Sequence, residues 1–105
     1  MAKINARGAH QVGPTLYTEY DRPPSYGDPA RTYYEAWRLR SDGAIMTRII
    51  RTWPTLRDST EHRTEHRGSS FRIVAKIRKD CPIDIDVLRR HLENKGYRIV
   101  KDSWR

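Results

Sequence analysis

The side chains best suited to bind a ligand are the cationic ones, which clearly outnumber the acidic ones. Lysine and arginine together number 21 against 13 acidic residues, for a net charge of +8, and only five of the 21 are lysines. A guanidinium presents a planar fork of donors that matches phosphate oxygens and guanine edges better than an ammonium does. Such an excess favours nucleic acid or another acidic partner. An arginine-rich coding background would produce the same composition without any partner.

Residue types that could perform catalysis or hold a metal are present, but their spacing does not suit either role. His62 and His66 stand four residues apart in the tandem repeat of residues 60–67, with only Glu61 and Glu65 as further local ligands. A structural metal site needs three or four ligands, and the H-E-x-x-H order is absent. Cys81 is the only cysteine, so no internal disulfide can form. We therefore expect no catalytic residue, no metal and no cofactor, and we do not expect an enzyme.

Two strands joined by a tight turn are the clearest structural pattern. Trp37 and Leu39 alternate with Arg38 and Arg40 before Ser-Asp-Gly at residues 41–43. Asp-Gly is a strong hairpin signal because both residues tolerate a positive φ. An apolar strand follows and is ended by proline, so we predict a hairpin over residues 33–53. Residues 70–78 alternate in the same manner and predict a third strand.

A helix and a final strand complete the predicted domain. Asp84 can cap a helix over residues 84–95, with Ile85, Leu88 and Leu92 on one side and Gly96 at its end. Residues 97–101 predict the last strand. Residues 1–30 hold four of the six prolines and predict an extended arm, to which residues 15–20 could add a short edge strand. The predicted fold is α+β, with one helix packed on a three- to four-stranded antiparallel sheet (β-β-β-α-β) over residues 31–105 and an irregular N-terminal arm.

The face of this sheet opposite the helix is the predicted binding surface. If the apolar residues point inwards, the alternating cationic residues point outwards, where a lattice of charges can follow a phosphate backbone. Basic residues of the arm can reach into a groove. The predicted nucleic-acid-binding residues are Lys3, Arg7, Arg38, Arg40, Arg48, Arg72, Lys76 and Arg78. A solvated charged face that prevents edge-to-edge association is the alternative.

A second hypothesis is a protein-interaction module that binds another protein or assembles with itself. It depends on aromatic side chains, which concentrate at interfaces. The aromatic residues concerned are Tyr17, Tyr20, Tyr26, Trp53 and Trp104. No apolar run approaches the ~20 residues that a membrane span requires, so we expect no membrane partner.

Two short segments carry a resemblance to a known group of proteins. Residues 1–9, Met-Ala-Lys-Ile-Asn-Ala-Arg-Gly-Ala, and residues 39–44, Leu-Arg-Ser-Asp-Gly-Ala, resemble small uncharacterised proteins of bacteriophages that infect mycobacteria and related actinobacteria. The resemblance extends loosely over the C-terminal third. It implies a phage product in the host cytoplasm and an arginine bias that partly reflects a GC-rich genome. For the protein-interaction hypothesis, it implies a host or phage protein as the partner, or a place in the virion. Because no activity is established for these proteins, it assigns no binding residue.

Overall fold

The fold is an antiparallel sheet with one short helix against it. A computed structural model describes residues 8–27, 29–54, 64–66, 68 and 70–101. The elements are β1 (Gln11–Arg22), β2 (Arg31–Arg40), β3 (Ala44–Pro54), β4 (Thr64–Glu65), β5 (Arg72–Lys76), α1 (Ile85–Asn94) and β6 (Arg98–Val100). The strands lie in the order β4-β3-β2-β1-β6, and β5 also pairs with β3.

The prediction of a three- to four-stranded sheet was wrong, because the sheet has six strands and the protein is mostly β. The largest addition is β1, twelve residues long, which lies within the segment expected to be an arm. Its proline and glycine are absorbed at a register shift between Val12 and Leu16, and regular pairing with β2 follows. β1 also pairs with β6. It is therefore an interior strand and not the short edge strand that residues 15–20 suggested.

The predicted hairpin is confirmed in β2 and β3, which pair along almost their whole lengths. Gly43 has a φ of 91°, in the region that favours glycine. The Asp42 carboxylate accepts a hydrogen bond from the backbone N–H of Ala44 at 3.2 Å. The turn is therefore stabilised by the two residues whose types predicted it.

The predicted helix is also confirmed. Asp84 is its N-cap and accepts a hydrogen bond from the backbone N–H of Asp86 at 2.9 Å. Leu88 and Leu92 are fully buried. They pack with sheet residues in a single apolar core, whose buried members are Leu16, Trp37, Leu39, Ile45, Leu88 and Leu92. No helix in the part of the chain that the structure describes is long and apolar enough to cross a membrane.

The helix makes its closest approach to the sheet at the irregular part of β1. Gly13 has a φ of 73°, and a Cβ placed there would lie 2.8 Å from the Cβ of Ile85. Glycine is needed at this position both for its backbone conformation and for the space it leaves. The face of the sheet that α1 covers is called the helix face below, and the opposite one is called the outer face.

Candidate nucleic-acid interface

Three cationic residues and one aromatic residue of the outer face are together called the outer basic cluster: Arg38, Arg48, Lys76 and Phe71. The Arg38 guanidinium lies 4.1 Å from the centre of the Phe71 ring, and that of Arg48 lies 6.0 Å from it. Arg38 also donates to the Thr15 hydroxyl at 3.2 Å, which fixes its position. The pairing of β2 with β3 brings the two arginines together. Arg38 pairs with Met46, and Arg48, the next residue of β3 on the same face, pairs with Ala36.

Lys76 belongs to the same surface through β5. It pairs with Ala44, while its neighbour Ala75 pairs with the core residue Ile45 on the helix face. Successive side chains of a strand point to opposite faces, so Lys76 lies on the outer face. It is exposed, as are Ile73 and Val74 nearby.

Two other predicted residues are paired with aspartates close to them in sequence. Arg40 forms two hydrogen bonds with the Asp42 carboxylate, at 2.9 and 2.8 Å. These bonds hold the pKa of Asp42 well below its usual range. Arg78 follows β5 and contacts Asp80 at 3.0 Å. Both guanidiniums are thus partly neutralised, and the predicted residues Lys3 and Arg7 lie outside the described residues.

Arg72 is not on the outer face, contrary to the sequence pattern. The pairing of β3 with β5 shifts register between Ile45 and Met46, whose partners are Ala75 and Ile73. A bulge of one residue reverses the faces of all side chains beyond it. Arg72 therefore pairs with Thr47 and lies on the helix face. The apparently regular alternation of residues 70–78 concealed this bulge.

The outer face also contains an acidic half, beside β6. Arg98 contacts Glu19 at 2.8 Å and Asp21 at 3.4 Å. The Tyr34 hydroxyl donates to Glu19 at 2.8 Å, and burial together with this bond raises the pKa of Tyr34 to about 12. Acidic side chains therefore interrupt the outer face, and its positive charge does not extend over the whole of it.

The helix face carries a site that the sequence reasoning missed, centred on Glu35. This carboxyl is only 8% exposed, and burial raises its pKa to about 6, although the charge of Arg72 and a hydrogen bond with Thr47 oppose the rise. The available signal was the alternation of β2, which puts Glu35 on the same face as Trp37 and Leu39. An acidic residue at a core position of a strand requires a polar environment.

A groove with Glu35 in its wall, called the Glu35 groove, runs along the helix face beyond the end of α1. It has two adjoining compartments of about 240 and 320 Å³, both lined by Glu35, Arg72 and Tyr97. The first compartment is further lined by His91 and Leu92 of α1 and by Lys95, which caps the end of that helix. The second is further lined by Tyr20, Arg22, Tyr33 and Ile49.

Aromatic contacts hold the wall of this groove in place. The Tyr20 and Tyr97 rings are stacked with centroids 4.5 Å apart, and Trp37 meets Tyr97 edge-on at 5.3 Å. The Trp37 indole N–H donates to the buried Thr18 hydroxyl at 2.7 Å. Burial, followed by the charge of Glu35, raises the pKa of Tyr97 to about 12, so this hydroxyl stays protonated at neutral pH.

Metal binding and exposed aromatic residues were the other sequence-based questions. Within residues 8–27, 29–54, 64–66, 68 and 70–101, no group of three or more acidic, histidine or cysteine residues could hold a metal ion. Tyr26 is fully exposed in the β1–β2 connection and Trp53 is 42% exposed. Tyr17 and Tyr20 are partly buried. Trp104 lies outside the described residues, as does His62.

Comparison with known proteins adds no relative from which a role could be transferred. The chain matches no protein-family model, no curated protein and no solved structure. The functional argument therefore depends on its own residues.

Proposed function

We propose that this protein is a non-catalytic nucleic-acid-binding protein, and that it contacts single-stranded nucleic acid through the outer basic cluster. The observation that carries the proposal is the contact of Arg38 and Arg48 with the Phe71 ring, at 4.1 and 6.0 Å. Guanidinium planes supported by an aromatic ring on a sheet can both stack on unpaired bases and donate to phosphates.

The spacing of the cluster supports a strand of nucleic acid running across β2, β3 and β5. Arg38 and Arg48 occupy diagonal positions on neighbouring strands. Residues in such diagonal positions are roughly 7–8 Å apart. Lys76 lies on β5 nearer the β2–β3 turn, where it pairs with Ala44. The three cations share one face and can contact separate phosphates of one strand, while the net charge of +8 increases the rate of encounter with a polyanion.

An exposed apolar side chain on the same face favours single strands over duplex. Ile73, which pairs with Met46 on the outer face, is 51% exposed. In a duplex the bases are stacked on each other and offer only their edges, whereas unpaired bases can lie on apolar and guanidinium surfaces.

Fluorescence anisotropy with labelled single- and double-stranded DNA, at ~50 and ~200 mM salt, tests the proposal. We expect tighter binding to the single strand and a clear loss of affinity at the higher salt, because phosphate contacts release counterions. Replacing Arg38 by Gln should reduce the slope of log affinity against log salt by about 0.7. Phe71→Leu should weaken single-strand binding by roughly 1–3 kcal/mol, since it removes the support of both guanidiniums.

The matched control is Arg98→Gln, which removes one positive charge from the same face. Because Arg98 contacts Glu19 and Asp21, we expect a much smaller effect than that of Arg38→Gln. Equal losses for these two variants would mean that only bulk charge matters. Absence of binding at ~50 mM salt, or binding without a salt slope, would refute the proposal.

A second candidate is a protein-interaction module, which the full exposure of Tyr26 in the β1–β2 connection favours. A large aromatic side chain on an exposed loop is a typical interface anchor. The test is a pulldown after nuclease treatment: a bound protein that survives the nuclease and is lost in Tyr26→Ser supports this role. The resemblance to phage proteins supports placing either activity in the cytoplasm of an infected host.

A further inference from the structure

The Glu35 groove is a concavity that could hold a ligand, and it lies on the face of the sheet opposite the outer basic cluster. Its two compartments, of about 240 and 320 Å³, meet at Glu35, Arg72 and Tyr97. Ligand pockets in proteins begin at roughly 300 Å³, so the groove suits one small molecule.

The charges of the lining indicate an anionic group on the ligand. Arg22 and Arg72 both line the larger compartment, and Glu35 is the one acidic residue among the described residues that line it. Arg22 lies over the Tyr33 ring at 4.9 Å, and its Nε atom is buried without a hydrogen-bond partner. A buried donor of this kind is costly unless an acceptor reaches it. A phosphate supplies several acceptor oxygens and pairs well with guanidinium groups.

The buried carboxylate indicates a second requirement, a pair of N–H donors on the ligand. Glu35 is only 8% exposed, and at neutral pH its two oxygens can only accept hydrogen bonds. Guanine presents two adjacent N–H groups along one edge, which match two carboxylate oxygens. Adenine and cytosine each present an amino group beside a ring nitrogen that carries a lone pair, and this lone pair repels a carboxylate.

The aromatic side chains supply the remaining element, a surface for a planar ring. Tyr20, Tyr33 and Tyr97 all line the larger compartment. The stacking of Tyr20 on Tyr97 at 4.5 Å keeps this wall rigid, so little entropy is lost when a base stacks against it.

We propose that the Glu35 groove binds a guanine nucleotide, with the base edge on Glu35 and the phosphate on Arg22 and Arg72. The site is independent of the outer basic cluster, so it would exist even if that cluster bound no nucleic acid. Glu35 reads the base, and the two arginines provide affinity without base selectivity.

Isothermal titration calorimetry of the full chain with guanosine, adenosine and cytidine monophosphates tests the proposal at neutral pH. We expect guanosine monophosphate to bind most tightly, by roughly 5- to 150-fold over the adenosine compound, the range set by one bidentate base contact. Glu35→Gln should remove this preference, because its amide replaces one acceptor by a donor. Arg72→Ala should weaken all three nucleotides and keep the preference.

Glu93→Gln is the matched control, since Glu93 is exposed on α1 and does not line the groove. It should leave binding unchanged. No measurable binding of guanosine monophosphate, equal affinity for the adenosine compound, or a preference that persists in Glu35→Gln would each overturn the proposal. These outcomes are separate from those of the DNA titration, because the variants used there lie on the other face.

Discussion

Replacing Glu35 by Gln should stabilise the protein at neutral pH, and the gain should disappear in mild acid. The pKa of Glu35 rises from the ordinary value of 4.5 to about 6 in the folded protein, chiefly because the carboxyl is buried. A raised pKa means that the folded state binds the proton more tightly than the unfolded state. The stability that the neutral carboxyl confers is therefore complete below pH 4.5 and is lost as the pH rises through 6.

The size of this effect follows from the two pKa values. Their difference, 4.5 against about 6, corresponds to about 2 kcal/mol in the free energy of unfolding. Gln keeps the shape of the side chain and carries no charge at any pH. The free energy of unfolding of Glu35→Gln relative to that of the wild type should thus rise by about 2 kcal/mol as the pH is raised from 4.5 to 7.

Urea denaturation at pH 4, 5, 6 and 7.5, followed by circular dichroism, measures this difference directly. Glu93→Gln is the control, because that side chain is exposed on α1 and should give a nearly constant difference. A Glu35→Gln difference that does not change with pH would refute the argument that the buried carboxyl is destabilised by its charge. A change of the opposite sign would mean that Arg72 stabilises the carboxylate by more than burial destabilises it.

Three further predictions concern the fold and can be measured by thermal or urea denaturation. Gly13→Ala should destabilise the protein by about 2–4 kcal/mol, because φ is 73° and the new Cβ would lie 2.8 Å from Ile85. Gly27→Ala is the control: the space around Gly27 is open, so this change should cost only about 1 kcal/mol. Trp37→Phe should cost about 1–3 kcal/mol, since the buried Thr18 hydroxyl loses its donor. Asp84→Ala should cost about 0.5–2 kcal/mol through the lost helix cap. For each of these variants, a loss of stability smaller than the stated range would contradict the contact described for that residue.

Elements whose signals are local could be predicted from the sequence. The Asp42–Gly43 turn and the Asp84 cap each depend on residues within a few positions, and both are in place. β1 was missed as an interior strand because Pro14 and Gly13 are typical of irregular chain, and its pairing with β6 depends on residues far away in sequence. Local chemistry does not contain that information.

The candidate site was only partly predictable for a related reason. Arg38 and Arg48 lie in β2 and β3, where the alternation is regular enough to place them on the outer face. Arg72 was misplaced because one bulge in β5 reverses the alternation, and a bulge without glycine has no clear sequence signal. Glu35 could have been identified by its position in the alternation, but its neighbours in the Glu35 groove come from β1, β5 and the segment before β6.

The pairing of β1 with β6 has a consequence for how the chain folds. Glu19 and Arg98, which face each other across this pair, are 79 residues apart in sequence, whereas β1, β2 and β3 follow one another as hairpins. Closing a loop of roughly 80 residues costs about 1.2 kcal/mol more than closing one of 20, since each doubling adds about 0.6 kcal/mol. The three-stranded meander should therefore form first, and β6 with α1 should dock late. Mutations in β6 would then accelerate unfolding while leaving the folding rate nearly unchanged.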